Sequence, residues 1–162
     1  VVSSNAVSSV TITTAGSGYT FASVLASDIG GVSGADIDFI ISPPGGHAIY
    51  INAGQILSHI PPKHFPAQAF SLECYIEGGI RSVEIGSVML SFISHETGEV
   101  VYPKLELVRF ALPRRTYTHS HLLYVIDTII SVCKRAETIK GIQIIESPKL
   151  LRHFSASFNW IN

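Results

Sequence analysis

The stretch from Thr118 to Arg135 constrains the rest of the chain most. Advancing about 100° per residue, Leu122, Leu123, Val125, Ile126, Ile129, Ile130, Val132 and Cys133 fall on one side of a helical wheel. Tyr124, Asp127, Thr128, Ser131, Lys134 and Arg135 fall on the other. The spacing predicts one main amphipathic helix over about 118–136. Thr118 or Ser120 is placed to cap its start, and Gly141 to close its end in a left-handed turn. So broad an apolar arc needs a partner surface, and the strand-like segments on either side are the obvious one.

Those segments come in a definite order. Val10–Thr14 alternates as a short strand, Gly16-Ser-Gly18 turns, and Tyr19–Leu25 returns. Ile37–Ile41 is a β run halted by Pro43-Pro-Gly-Gly46. Residues 1–47 therefore read as a Gly/Ser-rich β arm, and 48–162 as a core domain. Ala48–Ile60 fits a strand or a helical turn. Phe70, Leu72, Cys74 and Ile76 alternate with polar residues as a half-buried strand would. A second strand has Val83, Ile85, Val88, Leu90 and Phe92 pointing inward, with a bulge near Gly86. Glu99–Leu112 makes a third, and Ile142–Ile145 and Phe154–Trp160 make two more after the helix. The expectation is an α+β fold: an antiparallel meander covered by the helix.

At 162 residues the chain is long enough for a real core, and 46% hydrophobic content argues against disorder. A net charge of −1 gives no general pull towards nucleic acid or anionic membrane. The charge is unevenly placed, however. Residues 1–60 contain no Lys or Arg, and all 11 basic residues lie between Lys63 and Arg152. No run reaches the roughly 18 apolar residues of a membrane span. The N-terminus reads as free of a signal peptide, and it begins at Val1 without a Met, as a trimmed product would. Cys74, on its strand, and Cys133, on the helix, read as reduced core thiols. An intracellular or virion setting follows.

Little in the chain points to a reaction. His119 and His121 are the best metal pair, but i and i+2 on a helix point about 200° apart. They read instead as polar residues leading into the helix. Gly16-Ser-Gly18 and Gly30-Gly31 lack the rest of a dinucleotide fingerprint, and no nucleophile elbow or Walker loop occurs. Cys74 reads as an inert core thiol, and Asp36 with Asp38 as solvated edge residues. No catalytic residue, metal site or cofactor is expected. Arg114, Arg115, Lys134, Arg135 and Lys140 bracket the helix and form a candidate patch for an anionic partner, against the plainer reading of solvated helix-end charges.

Residues 60–146 resemble a rhabdovirus-type matrix protein. The carrying residues are Ile60-Pro-Pro-Lys-His-Phe65, Phe70, Tyr75, Gly78 and the Val83-Glu-Ile strand, followed by a third strand, the helix and a closing strand. Residues 10–47, through Val10–Thr20 and Ile41–His47, are similar to a repeat of contractile-tail phage baseplate wedge proteins. The resemblances imply a non-enzymatic virion protein that self-associates in a matrix-like layer in the virion and host cytoplasm. It would contact nucleocapsid or other virion proteins and touch membrane only peripherally, with no sequence-specific nucleic-acid binding. Val10, Ile12, Tyr19 and Phe21 in the arm would grip a neighbouring copy. A baseplate component, a cellular protein-binding adaptor and a histidine-based hydrolase are the rival expectations.

Overall fold

A computed structural model describes residues 2–3, 6–7, 39–41, 47–113, 115–148 and 151–161. The chain divides into two compact units, Val1–Asp38 and Phe39–Asn162. In the first, β1 (Val2–Ser3) and β2 (Ala6–Val7) pair antiparallel. The arm residues Val10, Ile12, Tyr19 and Phe21 lie outside the described residues, as do the Gly16 and Gly30 turns and Asp36 with Asp38.

The second unit begins with Phe39, packed on the core, and Ile40, bridged to Ile51. The ambiguous segment holds both elements: β3 (Ala48–Asn52), then a single helical turn, α1 (Ala53–Ile56). After a 3-10 turn at Pro62–His64 comes α2 (Pro66–Gly78), where alternation predicts a strand. Its buried positions are Pro66, Ala67, Ala69, Phe70, Ser71 and Cys74, concentrated in its first two turns, while Ile76 near its end faces solvent. The apparent period of two arises because Phe70, Leu72, Cys74 and Ile76 are the apolar residues of its middle, although Ile76 is exposed and the buried Ala67, Ala69 and Ser71 fall between or before them. Pro66 in the first turn and a left-handed Gly79 just past the end are the boundary signals that the alternation masked. Cys74 is therefore a helical residue.

β4 (Val83–Ile85) is followed by another helical turn, α3 (Ser87–Leu90), so the phase slip at Gly86 marks a change of element rather than a bulge. Next come β5 (Phe92–Ile93), β6 (Val100–Val101), β7 (Leu107–Ala111) and α4 (His119–Lys134). After a 3-10 turn at Ala136–Thr138 the chain closes with β8 (Ile142–Glu146), α5 (Arg152–Ser155) and β9 (Ser157–Trp160). The α+β class holds, with small antiparallel sheets: β3-β7-β4, β5-β6 and β8-β9.

The core joins Ile51, Val108 and Phe110 of the first sheet to Phe70 and Cys74 of α2, with Leu57, Val132, Ile139 and Ile142 around them. The predicted helix is present, and its contact side takes in part of the expected apolar arc together with residues from the polar side. Tyr124 donates from its hydroxyl to the Gly78 carbonyl (3.0 Å), and Ser131 to Glu77 (2.7 Å). Arg135 pairs with Glu73 (2.5 Å) and Glu77 (3.2 Å). Thr128 is buried against Gly78, where a Cβ would lie 2.5 Å from its Oγ1. The polar side of the wheel thus docks on α2, while Val125, Ile129, Val132 and Cys133 reach the core and Leu123 and Ile126 remain exposed. His121 caps the helix start, its Nδ1 accepting from the Thr118 amide (3.1 Å). Gly141 serves close packing instead of a left-handed turn, since a Cβ there would meet His64 Cβ at 2.6 Å. Among the described residues no helix is long and apolar enough to cross a membrane.

Candidate functional site

The β3-β7-β4 sheet has two unlike faces. Strand alternation sends Ile51, Val108 and Glu84, cross-strand neighbours, to the core side. Tyr50, Arg109 and Val83 form the matching row on the other side, next to Asn52, Leu107 and Ile85. Arg109 is thus the central cation of a row on the central strand, half-buried among largely apolar neighbours. Val83 and Ile85, expected to point inward, belong to this second face. Of the other residues expected inward, Val88 is buried but Leu90 and Phe92 are exposed.

Arg109 Nη2 lies 2.7 Å from His47 Nε2. A guanidinium only donates, so His47 accepts here and carries its own proton on Nδ1. The His47 carbonyl accepts in turn from the Leu112 amide (2.6 Å), which ties the residue to the end of β7. The histidine orients one corner of a planar fork of donors. Such a fork, held on an apolar surface, suits a carboxylate that can accept two parallel hydrogen bonds. Arg81, exposed just before β4, borders two surface hollows. One, of about 260 Å³, includes Gln68, Ser71 and Tyr75; the other, of about 170 Å³, includes Ala111, Leu112 and Tyr117.

Behind this face lie two carboxylates that the sequence reading passed over. Glu84 is 3% and Glu106 5% exposed. Burial pushes Glu84 up to about 7, with the Glu106 charge adding to it, and burial raises Glu106 as well. A Glu between Val83 and Ile85 is the signal, since on a strand with one buried face it must share its side with one set of neighbours or the other. Cys74 and Cys133 are free thiols. Burial pushes them up to about 12 and about 11, which keeps both protonated and unreactive.

The candidate basic patch is not gathered in one place. Arg115 is exposed before α4, whereas Lys134 ends it; a 16-residue helix separates them by about 24 Å. Arg135 is engaged by Glu73 and Glu77, Lys140 is exposed before β8, and Arg114 lies outside the described residues. His119 is exposed and His121 serves as the cap. Among the described residues no group of three or more His, Cys, Asp or Glu side chains could hold a metal ion.

No family model matches the chain. It is, however, 49% identical over 119 residues to tyrosine phenol-lyase of Pasteurella multocida, covering 74% of this chain and 26% of that protein. Tryptophanase of Salinibacter ruber is 47% identical over 117 residues, 72% of this chain and 24% of the relative. A probable tryptophanase of Halobacterium salinarum is 47% identical over 120 residues, 73% and 25% respectively. The chain spans about a quarter of the length of these curated relatives.

Identity of this level over some 120 residues overturns the virus-based reading. The matrix and baseplate resemblances rested on short spacings that recur by chance, and virion location goes with them. The expectation of a non-enzymatic structural protein is overturned too, because the relatives are lyases. Over nearly three quarters of its length this chain is similar to one segment of the tyrosine phenol-lyases and tryptophanases of bacteria and archaea.

Proposed function

We propose that the chain is a segment of a β-eliminating lyase acting on an aromatic amino acid, and that its share of the work is to recognise the substrate carboxylate through Arg109. The observation that carries this reading is the guanidinium held by His47 in the middle of a largely apolar sheet face. An amino acid with an aromatic side chain offers both halves of the match: a planar anion for the fork and a ring for the flanking hydrophobic surface.

Lyases of this kind work with pyridoxal phosphate. Its chemistry needs a lysine amine set in a closed pocket. Lys63, Lys104, Lys134 and Lys140 are all exposed, so the described residues do not fit that group. The share of each relative that the chain spans agrees with the lysine lying elsewhere in a longer polypeptide. Self-association belongs to the same reading. The β5-β6 pair presents Phe92 (60%) and Ile93 (65%), together with Val100 and Val101, to solvent, an apolar surface suited to a protein neighbour.

The test is a chimera in which residues of this chain replace the matching segment of the Salinibacter ruber tryptophanase. The chimera is expected to release indole from tryptophan, and Arg109→Gln to lower kcat/KM by roughly 10–100-fold at unchanged thermal stability. A folded chimera whose activity is indifferent to Arg109→Gln would refute the assignment.

A further inference from the structure

The two buried carboxylates meet at one point. Glu84 arrives from β4 and Glu106 from the segment entering β7, and they converge on Gly86. A methyl group there would stand 2.9 Å from Glu84 Oε1 and overlap Glu106 Oε2. Glu84 accepts hydrogen bonds from the amides of Val88 (2.9 Å) and Met89 (3.1 Å). Glu106 accepts from the Ser87 amide (3.3 Å) and the Ser87 hydroxyl. The amides of α3 are therefore held by two acids.

Its carbonyls are held by a base. Arg152, at the start of α5, donates from Nε to the Val88 carbonyl and from Nη2 to the carbonyls of Ser87 (2.9 Å) and Ser91 (3.2 Å). It also reaches the Ser91 hydroxyl (2.5 Å). The charged groups on the surrounding elements leave the acids uncompensated among the described residues. On β7, Arg109 points to the opposite sheet face, and on α2, Glu73 and Glu77 pair with Arg135. Neither α1 nor α3 carries a titratable side chain, and Arg152 of α5 is taken up by carbonyls while His153 stacks beside Phe154.

We propose that Glu84 and Glu106 share one proton and form a pH-sensitive latch on the C-terminal segment. With the proton bound, the acids keep α3 in shape and its carbonyls grip Arg152. When the proton leaves to solvent, a charge is stranded in a buried site with no counterion, the Glu106 charge beside it adding to the strain, so α3 loosens and α5 is released. Burial raises both acids, Glu84 to about 7. The sign follows from that direction: the latch is fully closed below the ordinary carboxylate range and is lost as pH rises through about 7.

The experiment is hydrogen–deuterium exchange of the 162-residue chain between pH 5.5 and 8, corrected for the intrinsic pH dependence of exchange. The reporters are the amides of Phe154 and Ala156, bonded to the carbonyls of Leu151 and Arg152. Their protection should fall at least about tenfold over that range with a midpoint near 7. Glu84→Gln, which is neutral at every pH, should remove the step, and Glu106→Gln provides the same reading should the first variant fold poorly. Arg152→Gln should leave α5 unprotected throughout. Equal protection at both ends of the range in the unmodified chain would overturn the latch, as would a step that survives in either glutamine variant.

Discussion

One sheet, two faces: the side that carries Ile51, Val108 and Phe110 is closed by α2, and the side that carries Tyr50, Val83, Ile85 and Arg109 is not. The same three strands supply both, so secondary structure alone cannot explain the difference. Packing does. Side chains on the closed face exchange water for Phe70 and Cys74 and contribute to stability. On the open face the strands act as a rigid mount, and a charge there is available to something that arrives from outside. Even the ionisable groups divide this way, with Glu84 behind the sheet and Arg109 in front.

The contrast predicts a hierarchy of mutational effects. Phe70→Ala empties the centre of the closed side and should destabilise by about 3–5 kcal/mol, whereas Ile85→Ala in front should cost less than about 1 kcal/mol. Urea denaturation of the two variants measures the gap, and equal losses would erase the distinction. Gly78→Ala probes the next layer out, where α4 rests on α2. Its methyl would collide with Thr128, so a loss of about 1–3 kcal/mol is expected, and Gly78→Ala paired with Thr128→Ser should recover part of it. No recovery would mean that the two helices do not meet as tightly as the structure has them.

Much of this architecture could be read from the residues, and the failures have physical causes. The helix at His119–Lys134 and the strand at Ile142–Glu146 follow from strong periodicity, although Gly141 does not end the helix, and the strand expected over Glu99–Leu112 is two, Val100–Val101 and Leu107–Ala111, parted around Pro103. The α2 segment imitates a strand because Phe70, Leu72, Cys74 and Ile76 alternate with polar residues over its middle, while small buried residues such as Ala67, Ala69 and Ser71 carry no hydrophobic periodicity of their own. Reading α4 by hydrophobicity alone hides part of its docking side, because Tyr124, Ser131 and Arg135 meet α2 through hydrogen bonds and ion pairs and Thr128 packs on Gly78. The site was harder still. Arg109 looks like any strand arginine until strand order puts it in the central position, and its link to His47 spans 62 residues. No local pattern carries that information, and the proposal of a lyase segment draws on overall similarity to longer proteins.

The most direct test of carboxylate recognition compares tyrosine with tyrosinamide as competing ligands of the tryptophanase chimera. The two differ only in the group that Arg109 is assigned to read. The unmodified chimera should favour the acid by roughly 10–100-fold, the range of a hydrogen-bonded charge pair, and Arg109→Gln should bring the two inhibition constants to within about threefold. A preference for the acid that persists in Arg109→Gln would place carboxylate recognition elsewhere and contradict the role given to the open face.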